Sequence, residues 1–127
     1  IMNASIKAIK EIARKHIDNN IQGLEPIDIY KLAIDGEKQA IKVWDEFGEN
    51  LGNVLSHFIN MIDPDKISIG GGISAAYNLF ESTMKKTICI HSPSYKNFEI
   101  DIFESKQKEL SSQLGSALLV KSYNRSE

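Results

Sequence analysis

Gly70-Gly71-Gly72-Ile73-Ser74 is the stretch whose residue types and spacing could do chemistry. It follows Lys66-Ile67-Ser68-Ile69, where Ile67 and Ile69 put two β-branched side chains on one face of a short strand. Three successive glycines let the backbone bend and come close to a ligand, and Ser74 is placed as the N-cap of a following helix. Backbone N–H groups at such a strand–glycine–helix junction form a seat for an anion or a nucleotide. The same glycines would also serve a purely structural turn that needs positive φ. The pattern is not a Walker loop, because no Gly-Lys-Ser/Thr follows. It is not the dinucleotide fingerprint either, because Ser74 and Ala75 replace the later glycine spacing.

The other reactive side chains offer less. His16, His57 and His91 are scattered with no i, i+4 pair, and with the single cysteine, Cys89, they make no metal-ligand pattern. Asp63 and Asp65 flank Pro64; they could serve metal or phosphate work in a cleft, but turn chemistry through Asp-Pro accounts for them more simply. Ser111, Ser112 and Ser116 have no paired base, so hydrolase chemistry has no support. No catalytic or metal-binding residue is assigned from the sequence.

The glycines must be positioned by the elements around them. Ile6, Ile9, Ala13 and Ile17 predict a helix over about residues 3–18. Pro26 opens a short helical turn through Leu32 and Ile34. Asp35 is expected to N-cap the longest helix, with Glu37 at the positive end of its dipole. Ile41, Trp44, Phe47, Leu51, Leu55, Phe58 and Ile62 form its stripe, widened by Val54 and Ile59, to about Met61. Gly48 and Gly52 lie four apart inside it, each costing about 1 kcal/mol relative to alanine, and the expected compensation is close approach of another backbone. Pro64 stops this helix and biases Asp63 towards extended backbone.

After the glycines, Ala76, Leu79, Phe80, Thr83 and Met84 predict a helix over about residues 75–87, then a loop through Pro93 to about residue 97. Phe98-Glu99-Ile100-Asp101-Ile102 alternates as a strand with one wet face. Leu110, Leu114, Ala117, Leu118 and Lys121 predict a last helix over about residues 109–122. The expected architecture is therefore one helix-rich α/β domain over residues 1–127, with few and parallel strands. Two strands are too few for a stable sheet, so further strands are expected from a larger molecule or another chain.

The chain has 127 residues, enough for one domain with a core, and a net charge of −2, which argues against a dedicated nucleic-acid surface. One cysteine permits no internal disulfide, and a reducing, cytoplasmic setting is the simplest fit. No apolar run approaches a membrane span and no signal-peptide pattern opens the chain. It begins with Ile1 directly in helix-like sequence, as an internal piece of a longer protein would.

These features, in this order, resemble the C-terminal part of the ROK family, the sugar kinases and sugar-responsive repressors of the actin–hexokinase–heat-shock-chaperone superfamily. The matching residues are Asp35-Gly36 with Ala40, Phe47-Gly48-Glu49-Asn50-Leu51-Gly52, and Ile62 through Ser74. Ser111 through Leu118, with Leu114-Gly115-Ser116-Ala117, looks like the family's closing helix, although Ser116 departs from its more usual Gly-Ala-Ala. The resemblance implies a partial second lobe of the ribonuclease H-like, actin-like ATPase fold, with ATP and Mg bound in a cleft between two lobes. It places Gly70, Gly71 and Gly72 at the adenosine, with Ile73 and Ser74 as neighbours. The family's phosphate loop, catalytic aspartate, sugar-binding motif and cysteine-rich zinc motif have no counterpart here. The sugar would be met by the missing lobe, and the chain alone would not transfer phosphate.

Two other readings stand beside the sugar kinase. One is the sugar-sensing domain of a ROK-type repressor, in which case nucleic acid is a partner of the parent. The other is a helical interaction module, which leaves the glycines unexplained. A homo-oligomer formed through the helices is expected, with no membrane contact, and with Trp44 and Phe47 as its anchors.

Overall fold

The computed structural model describes residues 2–16, 25–71, 76–93, 95, 100–104 and 118–123. The elements are α1 (Met2–His16), α2 (Pro26–Ile34), α3 (Lys38–Ile62), β1 (Lys66–Gly71), α4 (Tyr77–His91), β2 (Asp101–Glu104) and β3 (Leu118–Tyr123). They form a helix-rich α/β arrangement with a small mixed sheet in the order β2-β1-β3. No described helix is long and apolar enough to cross a membrane.

Helix α1 turns Ile9, Ile12 and Ala13 into the core. Its basic last turn, Arg14, Lys15 and His16, complements the negative end of the helix dipole. There Lys15 Nζ and His16 Nε2 grip the two carboxylate oxygens of Glu46 on α3, at 2.8 and 2.9 Å. The hydrogen bond from Lys15, then that from His16, lowers the Glu46 pKa below its ordinary 4.5. A carboxylate held lower in the folded chain stabilises fully above its unfolded pKa, and that contribution is lost as pH falls through the folded value. The cluster is partly exposed and screened, so Glu46→Gln should cost less than about 1 kcal/mol at neutral pH. In urea unfolding, the gap between variant and parent should narrow as pH falls below the ordinary carboxylate range; a gap that widened on acidification would contradict the assignment.

Helix α2 starts as its sequence dictates, with Pro26 in the first turn and the Asp28 carboxylate accepting the Glu25 N–H at 3.0 Å. Its end corrects the expectation for Asp35. That residue closes α2 as its C-cap, while Glu37, with no side-chain bond, precedes α3. Gly36 takes φ +92°, its N–H bonds Ala33 O at 3.0 Å, and the Glu37 N–H bonds Leu32 O at 2.9 Å. This is a Schellman closure, and glycine is there because the left-handed position needs it. Asp-Gly thus acts as a stop signal instead of a start signal.

On α3 the buried face is Ala40, Val43, Trp44, Phe47, Gly48, Gly52, Leu55, Ser56 and Ile59. Ile41, Val54 and Ile62 of the expected stripe are exposed. The stripe is rotated towards a row of small residues, Gly48, Gly52 and Ser56, at i, i+4 spacing. That row admits the backbone of α4. A Cβ placed on Gly48 would lie 2.7 Å from Phe80 O, and one on Gly52 would lie 2.7 Å from Met84 O and from Thr87 Cβ. Close approach of another backbone is therefore the reason for both glycines. Thr83 Oγ1 donates to Asp45 Oδ1 at 3.1 Å near one end of the contact. At the other end Ser92 Oγ donates to Asn60 Oδ1 at 2.8 Å. Contacts advance together along both helices, so α3 and α4 run in the same sense and β1 returns between them.

Helix α4 runs on to His91, past the expected end near residue 87, because Thr87 and Ile88 continue its buried face until Pro93. Phe80 stacks on Trp44 at a centroid distance of 6.3 Å and meets Phe47 edge-on at 5.2 Å. Trp44 is 0% exposed, so Trp44 and Phe47 anchor α4 within the chain and are not available to a partner. Asp63 also departs from expectation. It takes φ 53° and ψ 57°, a left-handed C-cap whose N–H bonds Ile59 O at 2.8 Å, which turns the chain out of α3 before Pro64.

Strand β1 is central. It pairs in parallel with β2, from Lys66↔Asp101 to Ile69↔Glu104, and antiparallel with β3, from Lys66↔Tyr123 to Gly71↔Leu118. Buried Ile100 and Ile102 beside exposed Asp101 and Glu104 give the expected alternation around β2, while Phe98 and Glu99 lie outside the described residues. The helix expected over 109–122 is not formed at 118–122, where the chain is strand; residues 109–117, including Leu114 to Ala117, lie outside the described residues. The unpaired groups along the β1 edge outweigh a helical spacing there, since a buried strand must pair its N–H and C=O groups. The sheet is accordingly mixed, with three described strands instead of two parallel ones.

Candidate functional site

The carboxyl end of β1 and the start of α4 frame the candidate site. Ile67 and Ile69 are fully buried, which fixes β1 in the core and carries Gly70 and Gly71 to its end. Both glycines belong to the strand, opposite Leu119 and Leu118 of β3. Among the described residues only Gly36 is a glycine with positive φ. The bend expected from the first two glycines is therefore absent, and left-handed backbone does not account for them. Glycine inside a strand costs pairing strength and marks close approach of a ligand or another backbone. Gly72, Ile73 and Ser74 lie outside the described residues. The N-cap of α4 is Ala76, not Ser74.

Tyr77, in the first turn of α4, was not singled out from the sequence. It is 6% exposed, meets Phe80 edge-on at 5.6 Å, and donates its hydroxyl to Ile102 O on β2 at 3.4 Å. Burial first, then the nearby Glu81 carboxylate, pushes its phenol well above the usual range, so it stays protonated. The signal was present in the spacing of Tyr77, Phe80, Met84, Thr87 and Ile88, which is the true inner face of α4.

The aspartates lie elsewhere. Asp63 and Asp65 precede β1, and six strand residues at about 3.3 Å each separate them from the end of Gly71. The Asp65 N–H bonds Tyr123 O at 2.8 Å, and Asp65 O accepts from the Asp101 N–H at 3.2 Å, so its backbone joins the three strands at their far end. His57 and His91 are exposed and far from each other in sequence, and His16 belongs to the Glu46 cluster. Among the described residues no group of three or more His, Cys, Asp or Glu side chains is placed to hold a metal ion.

The ROK family model matches residues 2–123. The chain belongs to the ROK family. Among solved structures, this ROK chain is similar to a protein from Cytophaga hutchinsonii described as a "putative sugar kinase". The two share 28% identity with a TM-score of 0.67, over 90% of this chain and 40% of the other. The ROK chain thus spans less than half the length of that protein. No curated protein matches it. The segments that carried the family resemblance now have places. Asp35-Gly36 closes α2, Phe47 to Gly52 is the glycine face of α3 against α4, and Ile62 to Gly71 runs from the end of α3 through β1.

Proposed function

We propose that this ROK chain is the nucleotide-side part of an ATP-dependent sugar kinase, a partial second lobe of the ribonuclease H-like, actin-like type. The observation that carries the reading is the pair Gly70-Gly71, extended strand residues for which positive φ is no explanation, at the carboxyl end of β1. In open α/β sheets that end is where ligands bind. Gly70 and Gly71 would present bare backbone to the adenosine, and Gly72, Ile73 and Ser74, which follow in the chain, complete the proposed contact. ATP would supply the transferable phosphoryl group. Mg would be held chiefly by the phosphates of the nucleotide. The sugar, its acceptor site and the catalytic base belong to other parts of the protein. Pairing into a homodimer and a cytoplasmic setting go with this reading.

The full-length protein, assayed with ATP, magnesium and a panel of hexoses and amino sugars, should form sugar 6-phosphate. Failure with every sugar, together with sugar-dependent binding to DNA, would favour the repressor reading. Gly71→Val tests the contact itself. Gly71 is extended, and valine suits strand backbone, so the fold should survive. The affinity for ATP should fall about tenfold or more, because a branched side chain now stands at the seat. Unchanged affinity with a lowered melting temperature would show that the glycine serves the fold alone.

A further inference from the structure

We propose that the C-terminal half of α3 is the face on which a second copy of this chain docks, whichever reaction the parent protein carries out. Ala40, Trp44, Phe47, Leu51, Val54, Phe58 and Met61 follow one another along α3 at alternating steps of four and three residues. That is the spacing of a seam that faces another helix. The structure covers only its first half. Ala40, Trp44 and Phe47 are buried, with Phe80 of α4 packed on both rings and the end of α1 held at Glu46. Further along, Val54 is 58% exposed, Met61 80% and the adjacent Ile62 45%, while Leu51 and Phe58 are half-buried. Exposed apolar side chains that continue a buried seam form a contiguous patch, and such patches mark interaction surfaces.

Charge selects the occupant. The first half of α3 carries Lys38, Lys42, Asp45, Glu46 and Glu49, whereas no Asp, Glu, Lys or Arg occurs from Asn50 to Ile62, and His57 is the only ionisable group in that span. A partner chosen by opposite charge finds nothing to read there. A second copy brings the same apolar seam, and no carboxylate or ammonium loses its water when the two faces close. The symmetric contact is antiparallel. With its two-fold axis near Ser56, Val54 lies against Phe58 of the other copy and Leu51 against Met61, so each pair joins an exposed side chain to a half-buried one. The overlap from Asn50 to Ile62 is about 20 Å long. The covered first half of each helix then projects past the end of the other, whereas a parallel pair would drive the two covered halves together. This end of α3 leads into β1, and Gly70 and Gly71 stand at the other end of that strand, so docking leaves them free.

Sedimentation of the full-length protein from about 1 to 100 µM is the test, since a contact at the small end of specific interfaces dissociates in the micromolar range. Oxidation of Met61 by hydroxyl radicals should slow severalfold as the dimer forms. Val54→Glu sets a charge beside the axis and should weaken pairing about a hundredfold or more. The melting temperature of the monomer should hold, because Val54 faces solvent there. Met61→Glu, at the most exposed position of the seam, should act the same way. Ile41→Glu is the control, the same kind of change at an exposed residue on the first half of α3, and should leave the dissociation constant within about twofold. A protein that stays monomeric over the whole range, a dimer that survives both Val54→Glu and Met61→Glu, or an equal loss in Ile41→Glu would overturn the proposal. A monomer in which Met61 is protected at every concentration would overturn it as well, by giving the face to another part of the parent protein.

Discussion

Gly52→Val should destabilise the chain by about 3 kcal/mol or more, at the upper end of what overpacking a core costs. The new Cβ would meet Met84 O and Thr87 Cβ at 2.7 Å and Thr87 Cγ2 at 3.1 Å. Met84 O is backbone inside a helix and cannot rotate aside, so α4 itself must move off α3. Moving it disturbs the packing of Phe80 on Trp44 and Phe47 as well. Gly52→Ala sharpens the test, because helix propensity alone would favour alanine by about 1 kcal/mol. The contact requires the opposite sign. A denaturant midpoint that rose in Gly52→Ala would show that the helices do not meet through their backbones.

Trp44→Ala should cost about 3–5 kcal/mol, the range for removing a large aromatic side chain from a packed core. Trp44 is among the largest fully buried side chains and is stacked between α3 and α4. Trp44→Phe should cost far less than Trp44→Ala. Its indole Nε1 is buried with no hydrogen-bond partner among the described residues, so phenylalanine gives up volume but also removes an unsatisfied donor. Equilibrium unfolding of the two variants separates the terms. Equal losses would mean that a phenyl ring recovers none of the packing of the indole and that removing the unsatisfied donor returns nothing.

The helices were legible wherever periodicity and punctuation agreed. Pro26 placed the start of α2 and Pro64 the end of α3, because each removes a backbone donor whatever surrounds it. The glycine pair on α3 was legible for a related reason: two costly residues four apart need a compensating contact, and α4 provides it. The face of α3 was legible only in part. Counting large apolar residues favoured Ile41, Val54 and Ile62, while the structure turns the small residues inward, since a close helix contact rewards absent side chains. The C-terminal stretch was misread because its spacing at Leu118 and Lys121 suits a helix, and strand pairing with β1 is a long-range demand that no local window contains. The candidate site was marked in the sequence only as a stretch to test, the glycines after Ile69. Its frame was not, because the tie from Tyr77 to Ile102 joins residues that only the fold brings together.

The backbone contact between α3 and α4 also governs how this part of the molecule can move. Domain motions that proceed by sliding helices past one another use a layer of side chains that adjust their rotamers between two packings. At Gly48 and Gly52 there is no such layer, and the Asp45–Thr83 and Asn60–Ser92 bonds bracket the contact at either end. Shear between α3 and α4 is therefore closed to this structure. Joined in the chain through β1, the two helices travel as one rigid body, so that any displacement of one carries the other with it.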